Sequence, residues 1–233
     1  MVGARRAAAM SAARDAIFGR VRTSLGRTVI NTEDRAVLEA RLTGRKRGPI
    51  PARTALDTHP LIDLFVDMAA AADSTIERVA DGGAVPAALS DFLARYNLGS
   101  DIRMAPDPWL DTIPWAGRPT LTITRGASDG SDDVGVTAAF AAIAETGTLM
   151  LLSGPDSPTT LNFLPDNHIV VLRASQVMAA YEDGWDALRD SGAMPRTVNF
   201  ITGPSRTGDI EQKILLGAHG PRRLHIILIE DAR

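Results

Sequence analysis

The sequence predicts an α/β protein whose mostly parallel sheet is flanked by helices, with an N-terminal helical arm. From Leu61 onward, short apolar runs of strand type alternate with runs of helical periodicity, which is the pattern of a parallel sheet. The segment 199–231 shows the pattern most clearly, because two apolar runs enclose a polar turn and a short helical pattern. This segment therefore predicts a βαβ unit, with its polar groups at the carboxyl end of the sheet. We assign the arm and a basic linker to residues 1–60 and the α/β domain to residues 61–233.

The arm is rich in Arg and Ala and has apolar residues at helical spacing. The apolar residues that share one face of its first helix are Ile17, Val21 and Leu25. Asn31 or Thr32 is placed to cap a second helix over 33–42, and a basic linker follows at 43–49. Acidic residues dilute the charge that a transit peptide, a membrane-surface helix or a nucleic-acid arm requires, which favours a solvated helix packing on the core or on a partner subunit.

The elements of the domain follow one another without an internal repeat. The predicted helices cover 61–72, 87–96 after Pro86, 175–188 with Ser175 as the cap, and 210–216. The predicted strands cover 75–79, 102–105, a segment around 121–123, 168–172, 197–201 and 224–229. A hairpin is predicted from 136–143 into 149–152, with Glu145, Thr146 and Gly147 at its turn.

The composition excludes several classes of protein. The formal net charge of -3 over 233 residues argues against a nucleic-acid partner. No apolar run approaches the ~20 residues that span a bilayer, and no signal peptide is apparent, so we expect a cytoplasmic protein without a membrane span. The chain has no cysteine, which excludes a thiol nucleophile and any zinc or iron–sulfur site held by cysteine.

A polar turn after the predicted strand 197–201 is the first candidate site. Its residues of interest are Gly203, Ser205, Arg206, Thr207 and Asp209. A helix beginning near Thr207 would direct free N–H groups and its dipole at an anion, and Arg206 would add a fork of donors. Asp209 and Glu211 oppose a phosphate there and suit hydroxyl groups instead. The alternative is that Ser205 and Thr207 only cap the helix and Arg206 only pairs with Asp209.

The hairpin turn and two histidines supply the other candidates. Glu145 lies between apolar strands, where a carboxylate is a candidate nucleophile or general base, although the sequence alone favours a plain turn with a solvated glutamate. His168 begins a strand and His219 lies in a turn, whereas His225 is interpreted as a packed core residue. Glu145 and His219 are the candidate catalytic residues, and Thr146, Gly147 and His168 are candidate ligand contacts. No histidine pair has the spacing of a metal site.

Several short motifs together resemble the lactate utilization protein C family, whose members contain the LUD domain. The motifs occur in the family's order and span residues 135–230. They are Gly135-Val-Thr137, Ile143-Ala-Glu-Thr-Gly-Thr148, Leu164-Pro-Asp-Asn-His168, Gly203-Pro-Ser-Arg-Thr207 with Asp209-Ile-Glu211, and Gly217-Ala-His-Gly-Pro221 before Leu224-His225.

The resemblance implies a fold similar to the ribose-5-phosphate isomerase/CoA transferase superfold, which also includes 5-formyltetrahydrofolate cyclo-ligase. It implies a role in oxidising L-lactate to pyruvate together with partner proteins that carry iron–sulfur clusters. Since this chain lacks cysteine, we expect no cofactor on it and iron–sulfur clusters on the partner subunits of a lactate oxidation complex. CoA transferases of this superfold use a glutamate nucleophile, and Glu145 is its candidate counterpart here by fold analogy alone.

Three functions follow as hypotheses. The first is a component of a lactate-utilisation system that binds a small anionic metabolite. The second is a stand-alone enzyme of the CoA transferase, sugar-phosphate isomerase or folate cyclo-ligase type. The third is a non-catalytic scaffold or regulator. The sequence leaves open whether any reaction step is catalysed on this chain.

Overall fold

A computed structural model describes residues 2–26, 30–192, 194–210, 213–217 and 219–230, with the backbone alone for 2–11, 208–210 and 213–216. Within these ranges the chain divides into two units, residues 1–48 and 49–233. None of the described helices has both the length and the apolar character needed to cross a bilayer.

The first unit contains two helices, α1 (Val2–Ser24) and α2 (Thr32–Gly44). Asn31 caps α2, because its side-chain oxygen accepts a hydrogen bond of 2.7 Å from the Asp34 N–H. No side chain of α2 is buried. The two helices and the Asn31 cap agree with the sequence prediction.

In the described residues, the second unit contains four α-helices, several short 3₁₀ helices and twelve strands. The helices are α3 (Thr58–Ala71), α4 (Val85–Arg95), α5 (Pro108–Asp111) and α6 (Tyr181–Asp190). The strands are β1 (Thr75–Val79), β2 (Asp101–Met104), β3 (Thr122–Arg125), β4 (Val134–Ala138), β5 (Ala141–Ile143), β6 (Thr148–Leu152), β7 (Asn167–Arg173), β8 (Val177–Met178), β9 (Val198–Ile201), β10 (Arg206–Ile210), β11 (Lys213–Leu216) and β12 (Arg223–Ile229).

Six strands form an all-parallel sheet in the order β1-β12-β7-β4-β2-β3. The central strands β7 and β12 are almost completely buried because both faces of the sheet are covered. On one face, α4 inserts Leu89 and Phe92 into a core that includes Ile169 and Ile227. The predicted fold class, an α/β protein with a mostly parallel sheet flanked by helices, is confirmed.

The other face of this sheet packs on α3 and on a second sheet, whose strand order is β8-β5-β6-β9. Alternation along β6 explains the layering, since Leu149 and Leu151 face the first sheet while Met150 faces α6. The predicted hairpin is present as β5 and β6, paired antiparallel with Ile143 opposite Thr148.

The helix predicted over 210–216 is wrong, because the described part of this segment forms an antiparallel hairpin. Arg206 pairs with Leu216 and Thr207 with Leu215, and the Gly217 N–H extends the pairing by donating to the Ser205 carbonyl at 2.9 Å. A short apolar run has no clear periodicity, so long-range pairing decides its conformation. The predicted βαβ unit is therefore also wrong, since β9 and β12 belong to different sheets.

The helix predicted to begin at Ser175 starts later. Val177 and Met178 form β8, which pairs with Ala142 and Ile143 of β5. The helix α6 begins only at Tyr181, after the chain has left the sheet. Sheet pairing of two apolar residues has overridden the local helical pattern.

Candidate ligand-binding site

A cavity of about 300 Å³ lies where the parallel strands β7 and β12 begin. His168 and Leu224, the second residues of these strands, form part of its wall. The cavity thus lies at the amino end of the parallel sheet, whereas the sequence predicted a site at the carboxyl end. Its lining residues are Asn162, Phe163, His168, Phe200, Ile201, Thr202, Gly203, Pro204, Ser205, Arg206, His219, Gly220, Pro221 and Leu224.

Two polar side chains in the wall are almost completely buried. Asn162 and His168 are each 1% exposed. Among the described residues, neither the amide oxygen nor the amide nitrogen of Asn162 has a hydrogen-bond partner, and the same holds for His168 Nδ1. Buried polar groups are normally paired, since leaving one unpaired costs about 1–3 kcal/mol. These three atoms are therefore available to a bound molecule.

His168 is a neutral side chain in this wall. Burial lowers its pKa from 6.5 to about 3. Its Nε2 lies 2.8 Å from the hydroxyl oxygen of Thr137 on the neighbouring strand β4, and the tautomer decides which of the two donates. His168 can thus orient a ligand through a hydrogen bond, but it does not attract an anion by charge at neutral pH.

The cation at the cavity is Arg206. Its Nη1 lies 3.1 Å from the Asp73 carboxylate and its Nη2 donates to the Ala72 carbonyl at 3.4 Å. Arg206 therefore pairs with the end of α3 and not with Asp209, whose side chain lies outside the described residues. The Arg206 side chain remains 38% exposed, so its guanidinium can also meet a ligand.

Two loops are joined beside Arg206 to close the cavity. The Ser205 N–H donates to the Pro221 carbonyl at 2.8 Å. This bond brings the turn at 203–206 against the segment that contains His219, which is exposed at the cavity wall. The helix dipole proposed for this turn is absent, because β10 and β11 replace the predicted helix.

A cluster of four hydroxyl groups adjoins the cavity. The Thr148 hydroxyl lies 2.6 Å from those of Thr146 and Thr202 and 2.9 Å from that of Tyr181. The Tyr181 hydroxyl is also 2.8 Å from Thr146. Since Thr202 lines the cavity, the cluster connects the hairpin turn of β5 and β6 to the cavity wall.

Removing the Tyr181 hydroxyl is expected to weaken this connection. The variant Tyr181→Phe loses hydrogen bonds to two threonines and keeps its ring, so we expect a loss of about 1–2 kcal/mol in the free energy of unfolding. Urea denaturation measures the difference. Tyr96→Phe is the control, since the Tyr96 ring packs against Phe92 and Arg223 and the substitution keeps that ring. Equal urea midpoints for Tyr181→Phe and the wild type would contradict a stabilising cluster.

The hairpin-turn residues lie beside the hydroxyl cluster and not in the cavity wall. Glu145 is half-buried, and its main chain accepts from Arg53 Nη2 at 2.8 Å and donates to the Ala179 carbonyl at 3.1 Å. Gly147 has a φ of 66° and abuts the backbone of Ala69, so this position needs glycine for conformation and space. Glu145 is not among the residues that line the cavity at His219.

Of the predicted site residues, the cavity brings together His168, Gly203, Ser205, Arg206 and His219. Thr207 is buried in β10 outside the cavity wall, and Glu211 lies outside the described residues. Sequence reasoning missed Asn162 and Thr202. Asn162 ends a short 3₁₀ helix, Thr159–Asn162, whose only sequence signal is its closeness to the motif at 164–168. In the described part of the chain, no group of three or more metal-ligating side chains occurs.

The model of the LUD domain family matches residues 63–229. The chain belongs to the LUD domain family. The match covers every motif that suggested the resemblance. It also contains the whole wall of the cavity, so the candidate site is part of the LUD domain.

The relatives of this LUD-domain chain include proteins named lactate utilization protein C. The one from Deinococcus radiodurans is 30% identical over 204 residues, which cover 86% of this chain and 93% of that protein. The one from Exiguobacterium sp. is 36% identical over 103 residues, which cover 42% of this chain and 45% of that protein. The match thus spans less than half the length of the Exiguobacterium relative.

A solved structure has the same fold. The crystal structure of a DUF162 family protein from Deinococcus radiodurans aligns with a TM-score of 0.55 and 24% identity. The alignment covers 75% of this LUD-domain chain and 99% of the other. At this identity, the likeness concerns the fold alone.

Proposed function

We propose that this chain is a component of a lactate-utilisation system that acts in the oxidation of L-lactate to pyruvate. The observation that carries the proposal is the match to a lactate utilization protein C over 93% of that protein's length. The other relatives of the same name support the same role. The cavity at the start of β7 and β12 is the place where we expect the ligand to bind.

The ligand is a small organic anion. Asn162 offers an amide donor and an acceptor, His168 offers Nδ1, and Arg206 offers a guanidinium. A 2-hydroxy or 2-oxo acid presents a carboxylate to the guanidinium and a neighbouring oxygen to the buried polar atoms. A volume of about 300 Å³ is at the small end of the range for ligand pockets, which suits a metabolite of this size.

The redox centres belong to partner proteins in this proposal. Oxidation of lactate to pyruvate releases two electrons and two protons, and a chain without cysteine has no thiolate to hold an iron–sulfur cluster. The electrons therefore pass to iron–sulfur subunits of a lactate oxidation complex. Purification of the tagged chain from its native host tests this step. We expect proteins that carry iron–sulfur clusters to co-purify, and a chain purified with no such protein would contradict the complex.

Loss of the buried amide is expected to abolish growth on lactate. In Asn162→Leu, a leucine of similar size replaces the amide and its two unpaired polar atoms. The fold should therefore be retained, while the ligand loses its hydrogen bonds to the amide. A deletion strain complemented with this variant should not grow on L-lactate and should grow normally on glucose. Calorimetry of the purified variant should show at least tenfold weaker binding of L-lactate or pyruvate than the wild type.

Matched variants separate the cavity from the rest of the fold. Ser74→Ala removes another buried, unpaired polar atom that lies outside the cavity wall, and it should leave growth unchanged. Arg206→Ala should lose ligand binding and growth, whereas Arg189→Ala, which breaks a surface pair with Asp186, should not. Unimpaired growth of the deletion strain on L-lactate would reject the proposal. Function retained in Arg206→Ala would favour a non-catalytic scaffold.

Glu145 favours a second candidate, a stand-alone enzyme of the CoA transferase, sugar-phosphate isomerase or folate cyclo-ligase type. Glu145 is half-buried, and the next residue, Thr146, belongs to the hydroxyl cluster with Thr148, Tyr181 and Thr202. Calorimetry against CoA, ATP, folates and sugar phosphates distinguishes this candidate. A folded protein that binds none of them excludes it.

A further inference from the structure

Arg173 occupies the carboxyl end of the parallel sheet, opposite the end that holds the proposed lactate site. It is the last residue of the central strand β7. Its guanidinium carbon lies over the Trp109 ring, 4.8 Å from the ring centroid, where the face of the ring attracts the positive charge. Its Nε is buried and has no hydrogen-bond partner among the described residues. No ion pair in the described part of the chain includes Arg173.

Two cavities flank this guanidinium. Arg173 and Trp109 line both of them, one of about 300 Å³ and one of about 190 Å³. The larger cavity also has an apolar wall, to which Ala138, Phe140 and Leu152 contribute. Clefts outside the carboxyl ends of parallel strands are common ligand sites, because loops diverge there and leave space.

The larger cavity contains a carboxylate as well as the guanidinium. Asp107 lines it, and the Asp107 Oδ1 accepts a hydrogen bond of 2.8 Å from the Trp109 N–H. Asp107 and Arg173 form no ion pair with each other within the described ranges. Opposite charges that line one cavity without pairing can each engage a different group of the same ligand.

The wall between these charges is held in place by Gln176. Its Nε2 donates to the Ala139 carbonyl at 2.8 Å and to the Phe140 carbonyl at 3.2 Å. Its Oε1 accepts from the Arg173 N–H at 2.9 Å. One side chain thus fixes the end of β7 against the start of the second sheet, so the cavity is formed before a ligand binds.

We propose that this cavity binds a small zwitterion of the α-amino-acid type. The carboxylate of the ligand meets the Arg173 guanidinium, its ammonium group meets the Asp107 carboxylate, and its side chain lies on Phe140 and Leu152. The ammonium group distinguishes this ligand from a simple carboxylic acid. The site does not depend on the lactate proposal, since no residue of its wall lines the cavity at the amino end of the sheet.

Calorimetry with glycine, L-alanine, L-valine and propionate tests the proposal on the purified full chain. We expect L-alanine or L-valine to bind at least tenfold more tightly than propionate, which lacks the ammonium group. Arg173→Gln should weaken amino-acid binding at least tenfold. Asp107→Asn keeps a side chain able to cap α5 and should bring L-alanine and propionate to within threefold of each other.

Two controls make the result specific. Arg189→Gln alters another arginine that lies over a tryptophan, Trp185, and should bind as the wild type does. Asn162→Leu removes the lactate-site amide and should also leave amino-acid binding intact. The proposal is overturned if neither L-alanine nor L-valine binds, if Arg173→Gln binds as tightly as the wild type, or if Asp107→Asn keeps the preference for amino acids.

Discussion

Replacing Gly203 by alanine is expected to destabilise the protein by about 2–5 kcal/mol. Gly203 has a φ of 73°, which costs an L-residue about 1–2 kcal/mol. A Cβ there would also overlap the carbonyl oxygen of Ala72 at the end of α3. Backbone on both sides of the contact must move, and such overpacking adds about 1–3 kcal/mol. Chemical denaturation measures the loss.

Gly192→Ala is the matched control for this change. Gly192 has a similar φ of 79°, but a Cβ there meets nothing within 4 Å. Its substitution isolates the conformational cost, which we expect to be about 1–2 kcal/mol. Equal losses in the two variants would mean that the turn at Gly203 moves away from α3 freely. Because Gly203 also lines the cavity, the Gly203→Ala molecules that remain folded should bind the ligand more weakly than the wild type does.

Acidification is expected to remove about 3 kcal/mol of stability for each of two buried histidines between pH 7 and pH 4. Burial lowers the pKa of His168 to about 3. Burial, assisted by the charge of Arg95, lowers the pKa of His225 to about 4, although a hydrogen bond to the Thr75 backbone acts in the opposite direction. Both histidines are 1% exposed.

The sign follows from proton binding. The unfolded chain binds a proton at each histidine below a pKa of about 6.5, whereas the folded chain does not until the pH approaches 3 or 4. The stability that the two neutral histidines provide is therefore complete above pH 6.5 and falls as the pH drops below it. Urea midpoints at pH 7, 5 and 4 measure the slope.

The variant His168→Gln should lose the part of this slope that comes from one proton. An unchanged slope in His168→Gln would mean that His168 is protonated in the folded protein at mild acidity. In that case the interpretation of His168 as a neutral ligand contact fails as well.

The elements that were predicted correctly are those in which the local sequence signal and the long-range strand pairing favour the same structure. β1 occupies the predicted residues, and Pro86 lies in the first turn of α4 as expected. The hairpin of β5 and β6 forms around the predicted turn because both strands are apolar and the φ of Gly147 is positive. In each case propensity, spacing and burial favour the same conformation.

The failures occur where a short apolar segment pairs with a distant strand. Residues 213–216 form β11 instead of a helix, and Val177 and Met178 join β5 instead of the first turn of α6. Four or two residues cannot reveal their period, so the partner strand determines the outcome. The site was predicted at the wrong end of the sheet for the same reason. The βαβ interpretation placed it at the carboxyl end, whereas the cavity lies at the amino end of β7 and β12.

Part of the candidate site was accessible to sequence reasoning for a chemical reason. Arg206, Ser205 and Gly203 lie in one polar turn, and His168 begins a buried strand, so their residue types attract attention locally. Asn162 does not, because its importance arises from complete burial without a partner. That property exists only in the folded chain, in which Asn162 shares a cavity wall with residues of β7, β12 and the turn at 203–206.

The end of α3 has a consequence for recombination between relatives. Gly147 and Gly203 come from separate loops, and both abut the backbone of the last turns of this helix, at Ala69 and Ala72. The helix end and the two loops are therefore sterically complementary, and a change in one of them requires a matching change in the others. A chimera that exchanges either loop alone should have a steric clash between that loop and α3 and be destabilised. A chimera that transfers residues 58–72, 145–148 and 202–206 together should remain soluble and folded.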